Sequence, residues 1–315
     1  MTKPRRTTSS TSPPAPARAA SASSRATSST APPSSPPPAA APVSSTSPPP
    51  APWTASSTPR YTCRSPDVRP HLGFGSPARP SGLLWLQRQL MVPAVEGTLN
   101  VLRAAKNAGG VRRVVVTSSI SSIVPNPGWP AGEVLDERSW TDIDYCEKNG
   151  VWYPASKTLA EKAAWKFAEE NGLDVVVVNP GTVMGPVIPP RVNASTAILV
   201  RLLEGCTEEY VDFYMGPVHV EDVALAHILL FENPSASGRH LCVESIAHWS
   251  DFASKVAELY PNYKVPKFPK DTQPGMVRAE AASKKLIALG LQFSPMEKII
   301  RDSVESLKSR GFVAS

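Results

Sequence analysis

At 315 residues the chain can form one large domain or two modest ones, and its charge is unevenly spread. Ten of its 33 Lys and Arg residues, but only one of its 27 acids (Asp67), fall in residues 1–90, so that segment carries the whole net charge of +6. The remainder is slightly acidic, which excludes a basic nucleic-acid-binding surface on the folded part. No apolar run approaches the roughly 18 residues of a membrane span.

Residues 1–90 hold 19 of the 35 prolines, and up to Pro59 Trp53 is almost the only large apolar side chain. Such a segment buries too little surface to offset its ordering entropy, so residues 1–88 are expected to be a disordered tail. Three uses are open to it. Arg- and Ser-rich, acid-poor text fits an organelle transit peptide and would send the chain to the chloroplast; without that role a cytoplasmic location is the default. Runs such as Pro36-Pro37-Pro38 could serve as polyproline ligands, and the arginines could meet anionic partners. A fourth reading is that this Pro/Ala/Arg/Ser text comes from a GC-rich frame shift, because patterned sequence starts abruptly near Met91. A transcript frame encoding a strand and glycine-rich turn upstream of Met91 would support it.

From residue 89 the text is patterned. Val92–Ala108 carries Val95, Leu99, Leu102 and Ala105 at helical spacing and stops at Gly109-Gly110. Val111–Thr117 then reads as a strand covered on both faces, ending in Ser118-Ser119-Ile120-Ser121-Ser122. A loop is expected over Pro125–Gly150. A helix from about Tyr153, with Leu159, Ala163 and Phe167 as its buried stripe, stops at Asn171-Gly172. Asp174–Asn179 is a second covered strand, running into Pro180-Gly181-Thr182-Val183.

Strand, helix and strand at these lengths predict an α/β fold with a doubly wound parallel sheet. Beyond Pro186 the pattern loosens. Helices are expected over 195–204, 250–260 (capped by Ser250), 283–289 and 295–310, with strands over 213–220 and 239–244 and a helix opening at Glu221. That reads as a smaller lobe, mainly 187–315, over the sheet's carboxyl edge. His219 and His227 read as structural histidines. The cysteines Cys63, Cys146, Cys206 and Cys242 are too widely spaced for a zinc or redox motif, so no metal is expected.

The chemistry centres on Val151-Trp152-Tyr153-Pro154-Ala155-Ser156-Lys157. A Tyr and a Lys four residues apart share one helix face. An ammonium close to a phenol lowers its pKa from about 10 and makes a usable acid/base. The same spacing also suits a helix start with a half-buried Tyr and a solvated Lys. Serines just past a parallel strand lie where open α/β sheets bind ligands, or form a plain polar loop.

These residues together resemble the extended short-chain dehydrogenases/reductases, NAD-dependent epimerase/dehydratase-like proteins, and most nearly the plant cinnamoyl-CoA reductase and dihydroflavonol reductase branch. The resemblance runs from Met91 to the C-terminus. It rests on Val95-Glu96-Gly97-Thr98, Val116-Thr117-Ser118-Ser119, Tyr153 with Lys157, Asn179-Pro180-Gly181-Thr182-Val183 with Gly185-Pro186, and Val218-His219-Val220 with Asp222-Val223-Ala224. It implies an incomplete Rossmann-like sheet and a reductase that uses NADP(H) in preference to NAD(H) on a small carbonyl substrate.

The implied roles are Tyr153 as proton donor, Ser119 as its partner on the carbonyl oxygen, and Lys157 as the residue that lowers the Tyr153 pKa. Lys157 and Tyr153 would also meet the nicotinamide ribose, Pro180, Gly181, Thr182 and Val183 would line the ring, and Ser195 would touch the cofactor. Two departures stand out. The family's glycine-rich turn has only Gly73-Phe74-Gly75 as a counterpart, and the branch's N-W-Y-C-Y-G-K keeps here only Trp152, Tyr153 and Lys157. A catalytically inactive remnant or a tail-driven interaction protein is the alternative.

Overall fold

Valines decide the centre of the molecule. The computed structural model describes residues 87–188, 191–206, 214–268 and 278–314; the tail expected up to 88 and Gly73-Phe74-Gly75 lie outside them, save 87 and 88. After a π-helical turn, Gln87–Met91, helix α1 spans Val92–Asn107. Strands β1 (Val114–Thr117) and β2 (Val175–Pro180) pair in parallel, Val114 opposite Val175 and Thr117 opposite Val178. The third strand, β6 (Gly238–Cys242), joins β2 in parallel on its other side, giving the order β1-β2-β6.

Side chains alternate across a strand, so successive valines serve opposite faces. Val114, Val116, Val175 and Val177 pack with Leu102 of α1 and with Ala164 and Ala168 of α3 (Trp152–Asn171). Val115, Val176 and Val178 pack on the other face with Ala226 and Leu230 of α5 (Val220–Glu232). Helices on both faces make the sheet doubly wound, as the βαβ pattern predicts. Buried valines of this kind each contribute roughly 1.5–3 kcal/mol over an exposed side chain.

Helix α3 ends as expected at Gly172, whose left-handed φ of 59° closes the last turn. Its buried face differs from the expected stripe. Ala160, Glu161, Ala164 and Ala168 are buried, while Leu159, Ala163 and Phe167 are half-buried. Small residues let the helix approach the sheet closely, and the larger side chains are left at the margin.

The loop expected over Pro125–Gly150 contains a short helix, α2 (Ile143–Asn149). Asp142 caps it by accepting from the Tyr145 N–H, and Gly150 closes it at a φ of 69°. Beyond β2 lie β3 (Thr182–Met184), α4 (Ala194–Leu203), β4 (Tyr214–Met215) and β5 (Pro217–His219), with β3 and β5 paired in parallel. After β6 come β7 (Ala247–His248), antiparallel to β4, then α6 (Trp249–Leu259), α7 (Lys284–Ala288) and α8 (Met296–Ser309).

A separate apolar core joins α4, α6 and α8 through Ile198, Leu202, Trp249, Phe252, Ile300 and Val304. Ser250 does not cap α6. His248 does, in a capping box with Asp251, since an imidazole nitrogen accepts from the Ser250 N–H as a hydroxyl would. No described helix is long and apolar enough to cross a membrane.

Candidate active site

At the carboxyl end of β1 the chain leaves the sheet through Ser118 and Ser119 into a short 3-10 turn, Ile120–Ser122. The Ser119 hydroxyl accepts from the Ser121 N–H at 3.1 Å and caps that turn. The Tyr153 phenol lies beside it, near enough for the Ser119 hydroxyl to act on it. Tyr153 stands in the first turn of α3 and Lys157 one turn further on the same face. The Lys157 ammonium donates to the Thr117 carbonyl at 3.2 Å, which draws it to the end of β1. The structure thus brings Ser119, Tyr153 and Lys157 together.

The electrostatics differ from the expected arrangement. Burial raises the Tyr153 pKa, and the only influence that lowers it is the Ser119 hydroxyl. Lys157 is itself held below the usual lysine value by burial, with Glu161 opposing that shift. The phenol is therefore a protonated donor beside Ser119; in this state no lowering by Lys157 accompanies it. Burial is the larger influence on the phenol, and the Lys157 ammonium is engaged by the Thr117 carbonyl.

The turn after β2 approaches from the other side. Pro180 ends β2 and Gly181 bridges it to Thr182 and Val183 of β3. Gly181 is required by packing: a Cβ there would lie 2.1 Å from the Gly216 carbonyl oxygen and 2.6 Å from Val243 Cγ1. The Gly181 N–H donates to the Cys242 carbonyl at 3.1 Å and the Thr182 N–H to that of Gly216 at 2.6 Å, which fixes the turn. Ser303 and Ser306 of α8 accept from the N–H groups of Gly185 and Val187, anchoring its exit. Ser195 is half-buried in the first turn of α4; among the described residues no hydrogen bond ties it to Ser119, Tyr153 or Lys157.

Two residues with no role expected from the sequence, Glu161 and Arg239, sit behind this group. Glu161, with 1 % of its surface exposed, accepts from Ser118 and Ser122 hydroxyls at 2.5 Å each and lies 3.0 Å from the Asn179 amide nitrogen. Its other oxygen pairs with Arg239 Nε at 2.6 Å. Arg239 also donates to the carbonyls of Ser122 and Ser139 and lies over the Trp140 ring, its guanidinium carbon 3.8 Å from the ring centre. The signal was available: Glu161 lies four residues past Lys157 and eight past Tyr153, so it shares their helix face.

His219 and His227 are structural, as expected. His219 caps α5, accepting from the Glu221 N–H, and His227 links the Val223 carbonyl to the Thr117 hydroxyl. Among the described residues no three His, Cys, Asp or Glu side chains converge as a metal site.

The residues that would meet a nicotinamide cofactor fit its ribose end. A lysine with three N–H donors and one carbonyl partner among the described residues has two donors left for a diol, and the Gly181 and Thr182 N–H groups fix the backbone of the turn after β2.

Comparison with known proteins identifies the family. Residues 87–243 match the NAD dependent epimerase/dehydratase family. Cinnamoyl-CoA reductase CAD2 of Medicago truncatula is 43% identical over 228 residues, a match covering 72% of this chain and 69% of the relative. Among solved structures, vestitone reductase from alfalfa superposes with a TM-score of 0.63 at 31% identity, over 75% of each chain. Yeast methylglyoxal/isovaleraldehyde reductase Gre2, complexed with NADPH, gives 0.62 at 28% identity, over 72% of this chain and 73% of that one. The chain belongs to the NAD dependent epimerase/dehydratase family, on the side of it that these reductases occupy.

Proposed function

We propose that the protein is an NADPH-dependent reductase of a small carbonyl compound: an aldehyde, a ketone or a CoA thioester of phenylpropanoid type. The observation that carries this reading is the convergence of Ser119 and Tyr153 with Lys157, whose ammonium donates to the Thr117 carbonyl at the end of β1. The named relatives support the substrate class, since one acts on cinnamoyl-CoA and others on vestitone and methylglyoxal, and Gre2 supports NADPH.

A carbonyl gaining hydride develops negative charge on oxygen. A protonated, half-buried phenol and a buried neighbouring hydroxyl stabilise that charge with little reorganisation of solvent. Tyr153 gives its proton to the oxygen, Ser119 donates a hydrogen bond to it, and Lys157 holds the cofactor's ribose. The cofactor, when bound, supplies the hydride. Pro180, Gly181, Thr182 and Val183 line the nicotinamide and Ser195 meets the cofactor further out. In this organisation residues 89–315 carry the enzyme, and the lobe mainly within 187–315 closes over the substrate.

NADPH titration by fluorescence, followed by turnover assays with cinnamoyl-CoA, a phenylpropanal and a small ketone, tests the proposal. Saturable NADPH binding with turnover of one of them supports it. No NADPH binding by the full chain would leave the inactive remnant as the better account.

A further inference from the structure

Glu161 has chemistry that a structural ion pair does not require. One of its oxygens collects the Ser118 and Ser122 hydroxyls, the residues on either side of the segment that presents Ser119. The Asn179 amide reaches the same oxygen, the Ser122 hydroxyl at 2.9 Å and the Ser119 carbonyl at 3.3 Å, and Asn179 leads directly into Pro180. Arg239 holds the second oxygen and grips the Ser122 carbonyl and hydroxyl, both at 3.0 Å. Trp165 Nε1, one turn along α3, approaches the second oxygen at 3.4 Å.

Buried carboxylates are costly unless paired and fully hydrogen-bonded, and this one is saturated from four elements. It lies on the helix face that carries Tyr153 and Lys157. A single group therefore ties together the serine turn, the proline turn and the helix of the acid/base pair. The charged groups around it are Lys157 on its own helix and Arg239 on β6.

We propose that Glu161, tied by Arg239, is a positioning residue that sets Ser119 against Tyr153 and keeps Lys157 directed at the cofactor ribose. This inference rests on the reductase reading.

Glu161→Gln tests it, keeping the volume and removing the charge. The expected results are a fall in kcat on the order of 10²-fold, as for a displacement of reacting groups by about 1 Å, a weaker NADPH affinity as Lys157 loses its direction toward the ribose, and a lower titration midpoint for Lys157 in ¹³C-lysine NMR. Wild-type kcat and an unmoved Lys157 midpoint would overturn it. If the wild-type chain turns over no carbonyl compound yet Glu161→Gln still moves the Lys157 midpoint, the reductase reading falls and the positioning stands. Should Glu161→Gln fail to fold, Ser122→Ala removes one donor to the carboxylate at little cost in volume. Its expected signature is a raised Tyr153 titration midpoint, from a loosened Ser119 hydroxyl, readable with or without turnover. An unchanged Tyr153 midpoint would overturn the proposal.

Discussion

The Gly216 carbonyl oxygen occupies the space of a side chain at Gly181, 2.1 Å from where a Cβ would stand, and accepts the Thr182 N–H at 2.6 Å. Two backbones meet there without room for a methyl, directly beside the Ser119 turn. Gly181→Ala must push them apart, and overpacking of this kind costs about 1–3 kcal/mol. Thermal unfolding should register it as a midpoint lower by about 2–4 °C for each kcal/mol. Gly97 is the contrast: it lies within α1, and no described atom stands within 4 Å of its added Cβ. Gly97→Ala should stabilise by about 0.5–1 kcal/mol, because glycine is a poor helix former. A neutral Gly181→Ala would contradict the close approach.

Arg239 and Glu161 form a pair with 7% and 0% of their side-chain surfaces exposed. Arg239→Met leaves the carboxylate buried with its charge unpaired and frees the loop carbonyls of Glu137 and Ser139. A loss of about 3–5 kcal/mol is expected in urea denaturation, in line with broken buried pairs. A loss below about 1 kcal/mol would mean the pair is solvated in solution.

Two thiols should be silent. Burial pushes Cys146 up to about 11 and Cys242 up to about 12, well above a free thiol. Both are acids whose folded value is raised, so the folded state keeps protons that the unfolded state releases. Their contribution to stability is whole below about pH 8.5, the free-thiol value, and is lost as pH rises toward 11 and 12. Alkylation at pH 8 followed by peptide mapping should find both unmodified in the native protein and modified in urea. Native labelling of either would contradict their burial.

The Tyr153 phenol should titrate above the ordinary tyrosine value, because burial outweighs the Ser119 hydroxyl. Its folded value is raised, so its contribution to stability is present below about pH 10 and lost as pH climbs through the folded value. The phenolate difference spectrum between wild type and Tyr153→Phe reads this directly. A midpoint below 10 in the free protein would restore the lowering by Lys157 that the Tyr–Lys spacing alone suggests.

Most of the sheet was legible because covered strands are rich in valine and helix ends carry glycine: β2 and the Gly172 stop fell where expected. β1 was shorter than its text, since Val111 to Arg113 precede the first paired residue. Helix α2 was missed although Asp142 and Gly150 bracket it, because proline and aromatic residues upstream masked a seven-residue element. The site was legible where chemistry follows spacing, as with Tyr153 and Lys157. It was not legible where it depends on which partner a buried charge meets, since Arg239, which pairs with Glu161, lies 78 residues away on another strand. The Tyr153 pKa depends on burial, which spacing does not encode.

The central claim is that Tyr153 delivers the proton in an NADPH-dependent reduction. The most direct measurement follows NADPH consumption by wild type and Tyr153→Phe with cinnamoyl-CoA and a phenylpropanal, alongside NADPH affinity for each protein. The account predicts turnover by wild type, a kcat lower by about 10²–10⁴-fold in Tyr153→Phe, and similar NADPH affinity in both. Equal turnover by the two proteins, or none by wild type despite NADPH binding, would contradict it.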